Sequence, residues 1–442
     1  MKKRESTQLQ RVIGYFHGTI FLFSVIIGAG IFIAPKGVLK YSSLNVGVSL
    51  SIWAACAIVS MMAALSHAEL GTTLPRSGAQ YCFLKRSLGP FIAFFYIWVT
   101  LFSAPAGIAA RGLLLAGYIM QPFYPGCFVP EMPKKCLALA ILWCLGILNA
   151  RGVKEVAWFQ TVSTVVKMTV LCFISITGIV LLVRGRKENL ARFENAFDAE
   201  VPGASQIAEA FLQGLYAYSG WGVLVRIAGE LKNPGENIPK CLITALTLVA
   251  LTYLLVNISY LAVLTPKEIM SSGMAAQNQR EDTLRPLLPF SWVFLILNPF
   301  NKLVGFIDWI QLGLMMMGLL KLRIQEPNLP RPYKSTLIRI YFCSQVRLPF
   351  VFGTMAMSLF LVLTPIIKSP KMHHVYVLLF LFSGLLFYLP FVHFNLNSPY
   401  FNKITCFLQL LLNVSPGNDT DECISAEGTL QKNPPEIAAK KE

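Results

Sequence analysis

The chain has 442 residues, 55% of them hydrophobic and 14% charged, with a mean hydropathy of +0.58. Its apolar runs are long enough to cross a hydrocarbon layer of about 30 Å several times, which excludes a soluble domain and a singly anchored one. The net charge of +16 is spread over short loops and not gathered in a stripe with interleaved aromatics, so it reads as a membrane-orientation signal and not as a nucleic-acid surface.

Residues 1–17 form a polar amino terminus with Lys2, Lys3, Arg4 and Arg11, expected in the cytosol. The segment after it is too long and too intact for a cleaved leader and reads as a signal anchor. This first span, near 18–35, is interrupted at Ile26, Ile27, Gly28, Ala29 and Gly30 and is expected to end at Pro35. Each glycine weakens a helix by about 1 kcal/mol relative to alanine, and in lipid the lost backbone bonds must be replaced by a ligand or by neighbouring protein. An unwound helix offers N–H groups at the start of its second half and carbonyls at the end of its first, which suit a carboxylate and an ammonium respectively. The N–H groups around Gly28 and Gly30, and the carbonyl of Ile26 or Ile27, are therefore candidate binders of an amino-acid zwitterion. The alternative is a small-residue helix contact of the GxxxG kind. A nucleotide loop is excluded, because Ile33 stands where a third glycine is required and no βαβ pattern surrounds it.

Further spans are expected near 46–67, 90–120, 136–150 and 158–183. Arg76, Lys85 and Arg86 mark the loop after the second as cytosolic, and parity places the mixed-charge loop 184–204 outside. Lys167 lies well inside the fifth span, where it is either a site residue or a snorkelling lysine. None of the ten cysteines has a CxxC or Cys/His spacing. Cys56, Cys144, Cys172 and Cys241, inside apolar runs, are expected as small buried hydrophobes, whereas Cys127 stands in a loop. No metal or cofactor motif is present, and the lack of HExxH, a nucleophile elbow or clustered Asp and His leaves an enzyme without support.

The sixth span, near 206–229, reads Gln213 to Gly222 with three glycines and three large aromatics, a segment expected to unwind at Ser219 and Gly220 with Tyr216 as an aromatic lid. Arg111 in the third span and Arg226 in the sixth each carry a cost of about 2.5–3.5 kcal/mol at a helix centre. Arg226, one turn from Glu230, is a candidate selectivity residue for an acidic side chain; sequence drift explains the two arginines equally well. A seventh span is expected at 241–264 and a polar outer segment at 265–286. Residues 287–320 are broken by Pro289, Pro299 and Lys302, and 304–320 is expected to be the crossing, accompanied by a re-entrant piece. The basic stretch 321–347 reads as cytosolic, and spans near 348–367 and 374–394 complete ten crossings with both termini in the cytosol. Residues 404–414 are too short to span, and a disordered tail is expected from Ser415.

The ordered motifs Ile27 to Phe32, Glu69 to Tyr81, Tyr216 to Trp221 and Arg331 to Lys334 resemble those of the amino acid, polyamine and organocation transporters, specifically the light chains of the heteromeric amino-acid transporters in solute carrier family 7. The resemblance covers residues 8–264 and 321–414. Ala150 to Lys154 and Arg192 to Asp198 are most similar to the branch of the aspartate/glutamate transporter and its asc-type relative. It implies an all-α, LeuT-like inverted-repeat fold: a first repeat at 18–183, a second at 206–320 that is incomplete, two C-terminal spans at 348–394 and a cytosolic tail at 395–442. The family has twelve spans, and in this chain the eighth to tenth are compressed. By the same resemblance Cys127 is the cysteine that joins a single-pass glycoprotein heavy chain by a disulfide. Lys167 stands near the place of sodium in coupled relatives, and Tyr216 is the aromatic gate. Ala29 replaces a serine found in many relatives. The implied activity is sodium-independent exchange of acidic or small neutral L-amino acids at the plasma membrane. The alternative is a shortened, transport-deficient light chain that acts as an assembly or regulatory partner.

Overall fold

The computed structural model describes residues 13–73, 79–124, 129–151, 153–184, 193, 196–197, 202–228, 231–271, 291–327, 348–368, 372–394, 403 and 406–407. The first apolar run folds as two helices, α1 (Tyr15–Ile26) and α2 (Gly30–Tyr41), bent by 49° across the residues between them. Pro35 does not end α2 as expected: it sits near the start of that helix and forfeits only its own donor while the chain continues to Tyr41. A tight turn with Ser43 and Leu44 in the left-handed region leads to α3 (Val46–Thr73), whose first turn is capped by Asn45 Oδ1 on the Val48 N–H at 3.0 Å. The short α4 (Ala79–Ser87) turns at Gly89, φ +99°, into α5 (Pro90–Met120), followed by α6 (Glu131–Arg151) and α7 (Val153–Val183).

The sixth apolar run is again divided, into α8 (Ala204–Ala217) and the single turn α9 (Val223–Arg226). Next come α10 (Pro234–Val263), begun by a proline at N1, and the short α11 (Pro266–Ser271). Then follow α12 (Ser291–Gln325), α13 (Leu348–Lys368) and α14 (Met372–Phe387), the last ending in a π-helical turn at Tyr388–His393. Helix covers part of each of the ten expected crossings. Among the described residues four helices, Val46–Thr73, Pro90–Phe123, Trp158–Val183 and Pro234–Val263, are long and apolar enough to cross a membrane, and the bent α1–α2 pair makes a fifth. The expected crossing at 304–320 with a re-entrant piece is instead one helix from Ser291, about 52 Å long at 1.5 Å per residue.

α10 is the central post. Leu242, Ala245, Leu246, Val249, Tyr253 and Val256 recur at helical spacing and are all buried, and the helix packs against α1, α3 and α7. α2 lies along α8, so the two broken runs are direct neighbours. Outward faces are apolar: Phe173 is 72% exposed and Val183 82%. Apolar surface that continuous is lipid-facing in a polytopic chain. Cys56 and Cys241 are buried as expected, but Cys144 and Cys172 are exposed on α6 and α7, because an apolar run does not distinguish a core face from a lipid face.

Segments expected on one side of the membrane meet at one end. Gly47 N–H donates to the Ala196 carbonyl at 2.8 Å, a Cβ at Gly47 would strike the Phe197 ring, and Ile269 packs with Leu39, Val46 and Phe193. At the other end Arg323 of α12 grips Glu69 of α3, and Arg86 of α4 binds Glu326 at 2.7 Å. Cys127, Glu230, the Arg331 to Lys334 motif and the tail from Ser415 lie outside the described residues, as do 404–414 apart from Cys406 and Phe407.

Candidate functional site

At the first break the α1 helix runs out of partners. Ile27 N–H still donates to the Phe23 carbonyl at 3.0 Å, but Gly28 N–H turns back to the Ile26 carbonyl at 2.9 Å. The N–H groups of Ala29, Gly30 and Ile31, at the start of α2, have no hydrogen-bond partner among the described residues. Such donors at a positive helix end suit a carboxylate. The two glycines differ in what they do. A Cβ on Gly28 would meet nothing nearer than the Ile26 oxygen at 4.0 Å, whereas one on Gly30 would lie 2.5 Å from the Ala217 Cα. Gly30 is thus the small-residue contact that lets α2 and α8 touch, and Gly28 is the open position.

The second break follows the same logic. α8 ends at Ala217, Ser219 N–H closes a turn onto the Tyr216 carbonyl at 3.2 Å, and Gly220 adopts φ +108°, a conformation that costs other residues strain. A Cβ there would also crowd Val25 of α1 at 3.1 Å. The Tyr218 and Ser219 carbonyls accept no hydrogen bond among the described residues. Ser219 and Ala29 are exposed, and Tyr216 is 43% exposed beside the break.

Two side chains hold the ends of the first halves. Lys167 on α7 donates from Nζ to the Ser24 carbonyl at 3.0 Å and to the Ile27 carbonyl at 2.7 Å, placing an ammonium on the negative end of α1. It belongs to a stripe one helix face wide: Gln160 Nε2 donates to Ser24 Oγ at 2.9 Å, and Thr164 Oγ1 lies 2.6 Å from the same atom. Tyr253 on α10, fully buried, aims its hydroxyl at the Ile26 carbonyl at 3.1 Å and the Ala217 carbonyl at 3.0 Å. One group therefore ties both breaks together. A carbonyl oxygen has two lone pairs. Those of Ile26 are taken by Gly28 N–H and Tyr253, so of the two expected amine acceptors Ile27 retains capacity. Sequence reading missed Tyr253, whose only signal was a hydroxyl in an apolar span.

Beneath the breaks Trp53, Tyr218 and Tyr253 form a buried aromatic cluster with ring centroids 5.0–6.0 Å apart. Beside the second break Trp221 meets His67 edge to face at 5.5 Å. Gln80 joins His67 at 2.8 Å and accepts from the Tyr96 hydroxyl, while His67 Nδ1 is buried with no partner among the described residues. Arg226 of α9 and Arg111 of α5 are both exposed. Among the described residues no group of three or more His, Cys, Asp or Glu is placed to hold a metal ion.

The model of the amino acid permease family matches residues 13–298. Solute carrier family 7 member 13 of Mus musculus is 46% identical over 97% of the chain and 99% of its own length. Solute carrier family 7 member 12 of Mus musculus is 45% identical over 94% and 99%, and the b(0,+)-type amino acid transporter 1 of Homo sapiens is 31% identical over 95% and 96%. The alignment to the first of these runs to 486 positions, more than the chain's own 442, so that relative carries residues this chain lacks.

Proposed function

Because the chain belongs to the amino acid permease family and to solute carrier family 7 within it, we propose that it exchanges amino acids across the plasma membrane by alternating access, without sodium. The α-carboxylate is held by the N–H groups of Ala29, Gly30 and Ile31. The α-amine is held by the Ile27 carbonyl together with the Tyr218 and Ser219 carbonyls. Tyr216 closes over the substrate. The carrying observation is that two broken helices lie side by side with unpartnered donors on one and unpartnered acceptors on the other, the arrangement that inverted-repeat transporters use for zwitterions.

Sodium independence follows from Lys167, whose ammonium supplies a fixed positive charge to the Ser24 and Ile27 carbonyls where a bound cation would otherwise do so. Arg226 favours a substrate with an acidic side chain over a small neutral one. A single-pass glycoprotein heavy chain, joined through Cys127, completes the complex, with both termini in the cytosol.

The second reading, a shortened light chain that assembles but does not transport, is favoured by the residues missing relative to its 46% identical relative. Counting uptake of labelled L-aspartate and L-alanine by the purified chain in liposomes, with and without internal amino acid, separates the two. Uptake that requires internal substrate supports exchange, and none for any acidic or neutral amino acid by folded protein leaves the second reading.

A further inference from the structure

We propose that Ser24, Gln160 and Thr164 are positioning residues for the amine half of the substrate site, holding the end of α1 so that Lys167 fixes the Ile27 carbonyl. The inference rests on the exchange proposed above and assigns to that site three side chains that touch no substrate. In an unbroken helix the Gly28 N–H would bond the Ser24 carbonyl. At the break it turns to Ile26 instead, and Lys167 Nζ takes the freed Ser24 oxygen at 3.0 Å together with that of Ile27 at 2.7 Å. One ammonium bridges two carbonyls, so the position of the second depends on where the first is held.

Ser24 is held by its side chain. The Thr164 hydroxyl spends its only hydrogen on the Gln160 carbonyl at 2.7 Å. In the 2.6 Å contact between Thr164 Oγ1 and Ser24 Oγ the serine is therefore the donor. Gln160 Nε2 donates to the same serine oxygen at 2.9 Å and closes a ring in which each hydroxyl hydrogen has one assigned acceptor. A serine inside a helix commonly bonds back to the carbonyl four residues earlier, but Ser24, 4% exposed, is turned onto α7. Gln160, Thr164 and Lys167 follow at i, i+4 and i+7 on one face of α7, and Phe159, Val162, Val165 and Val166 beside them are exposed. α1 and α7 each pack along α10, and this polar face joins them to each other. Both anchors act on a single residue, one through its hydroxyl and one through its carbonyl, so each orders the segment for the other.

The test measures exchange of L-aspartate and L-alanine by the full chain in liposomes, resolved into KM and Vmax. Ser24→Ala keeps the backbone carbonyl and removes the ring, while Thr164→Val removes the ring hydroxyl and Thr164→Ser keeps it. Ser24→Ala and Thr164→Val are expected to raise KM about fivefold, the worth of one neutral hydrogen bond, and equally for both substrates, which share the amine. Thr164→Ser is expected to match the parent. Ser24→Ala added to Lys167→Met is expected to cost no further exchange, and to lower the melting temperature by less than it does in the parent background. The inference is overturned by an unchanged KM, by a fall in Vmax alone as fewer folded molecules would give, or by a Thr164→Ser variant as impaired as Thr164→Val. A melting loss independent of Lys167 overturns it too, and each of these outcomes leaves the exchanger reading intact. A parent chain that exchanges no acidic or neutral amino acid overturns the proposed function, and this inference with it.

Discussion

Gly30 and Ala217 meet backbone against backbone, so close that a Cβ on Gly30 would lie 2.5 Å from the Ala217 Cα. That contact joins α2 to α8 and fixes the spacing of the two breaks. Gly30→Ala forces the helices apart, and overpacking of this kind costs about 1–3 kcal/mol. Gly28→Ala meets nothing closer than 4.0 Å. We expect Gly30→Ala to lower the melting temperature of the purified protein and to abolish exchange, with Gly28→Ala melting close to the parent. Equal melting losses in the two variants would show that the contact does not separate them.

Tyr253 bonds a carbonyl at each break, and removing its oxygen leaves ring and shape in place. Tyr253→Phe exposes two buried acceptors, Ile26 and Ala217, to a loss of about 1–3 kcal/mol. The expected outcome is a lower melting temperature and a raised KM for every substrate, since both halves of the zwitterion site shift together. A KM change confined to acidic substrates would contradict this role.

Both breaks were legible in the sequence because glycines in an apolar run are locally costly wherever they fall, and Lys167 was legible because a charge there is costly too. What the glycines do was not legible, since Gly30 owes its role to Ala217, a residue 187 positions away that carries no mark of its own. Tyr253 was hidden because one tyrosine in α10 reads like any core aromatic. The compressed stretch before Gln325 misled in the opposite direction. Its prolines suggested a broken crossing, yet the backbone from Ser291 is one helix, as transmembrane segments tolerate proline when neighbours replace the lost bond. Which of Cys56, Cys144, Cys172 and Cys241 faces inward was beyond periodicity, because lipid and core are equally apolar.

The two ion pairs at the α12 terminus differ in burial, and their removal should differ in cost. Glu69 is 0% exposed and held by Arg323, while the side chains of Arg86 and Glu326 are 21% and 33% exposed. Arg323→Met strips a buried carboxylate of this partner, a change that costs about 3–5 kcal/mol. Arg86→Met removes a partly solvated pair worth about 1 kcal/mol or less. Thermal melting in detergent should therefore rank Arg323→Met well below Arg86→Met, and the reverse order would refute the assignment.

Heavy-chain pairing through Cys127 is directly testable in cells that express both chains. A disulfide-linked adduct is expected on non-reducing gels for the parent and is expected to vanish in Cys127→Ser, while reduction collapses it in both. An adduct that persists in Cys127→Ser would assign the link to another of the ten cysteines.

The Lys167 ammonium sits 3.0 Å from the Ser24 carbonyl and 2.7 Å from that of Ile27, at the negative end of α1. If that charge does the work of a bound cation, exchange rates in sodium and choline media should be equal for the parent. Lys167→Met removes the charge and leaves both carbonyls without that donor; hydrogen bonds to a charged group are worth about 1.5–3 kcal/mol each. Exchange is expected to fall at least tenfold. Lys167→Arg should not restore it, because a planar guanidinium cannot place a compact charge between two carbonyls spaced for an ammonium. Measuring both variants in both media separates position from charge. A parent that requires sodium, or an arginine variant with full activity, would mean that the Lys167 ammonium does not stand in for a cation.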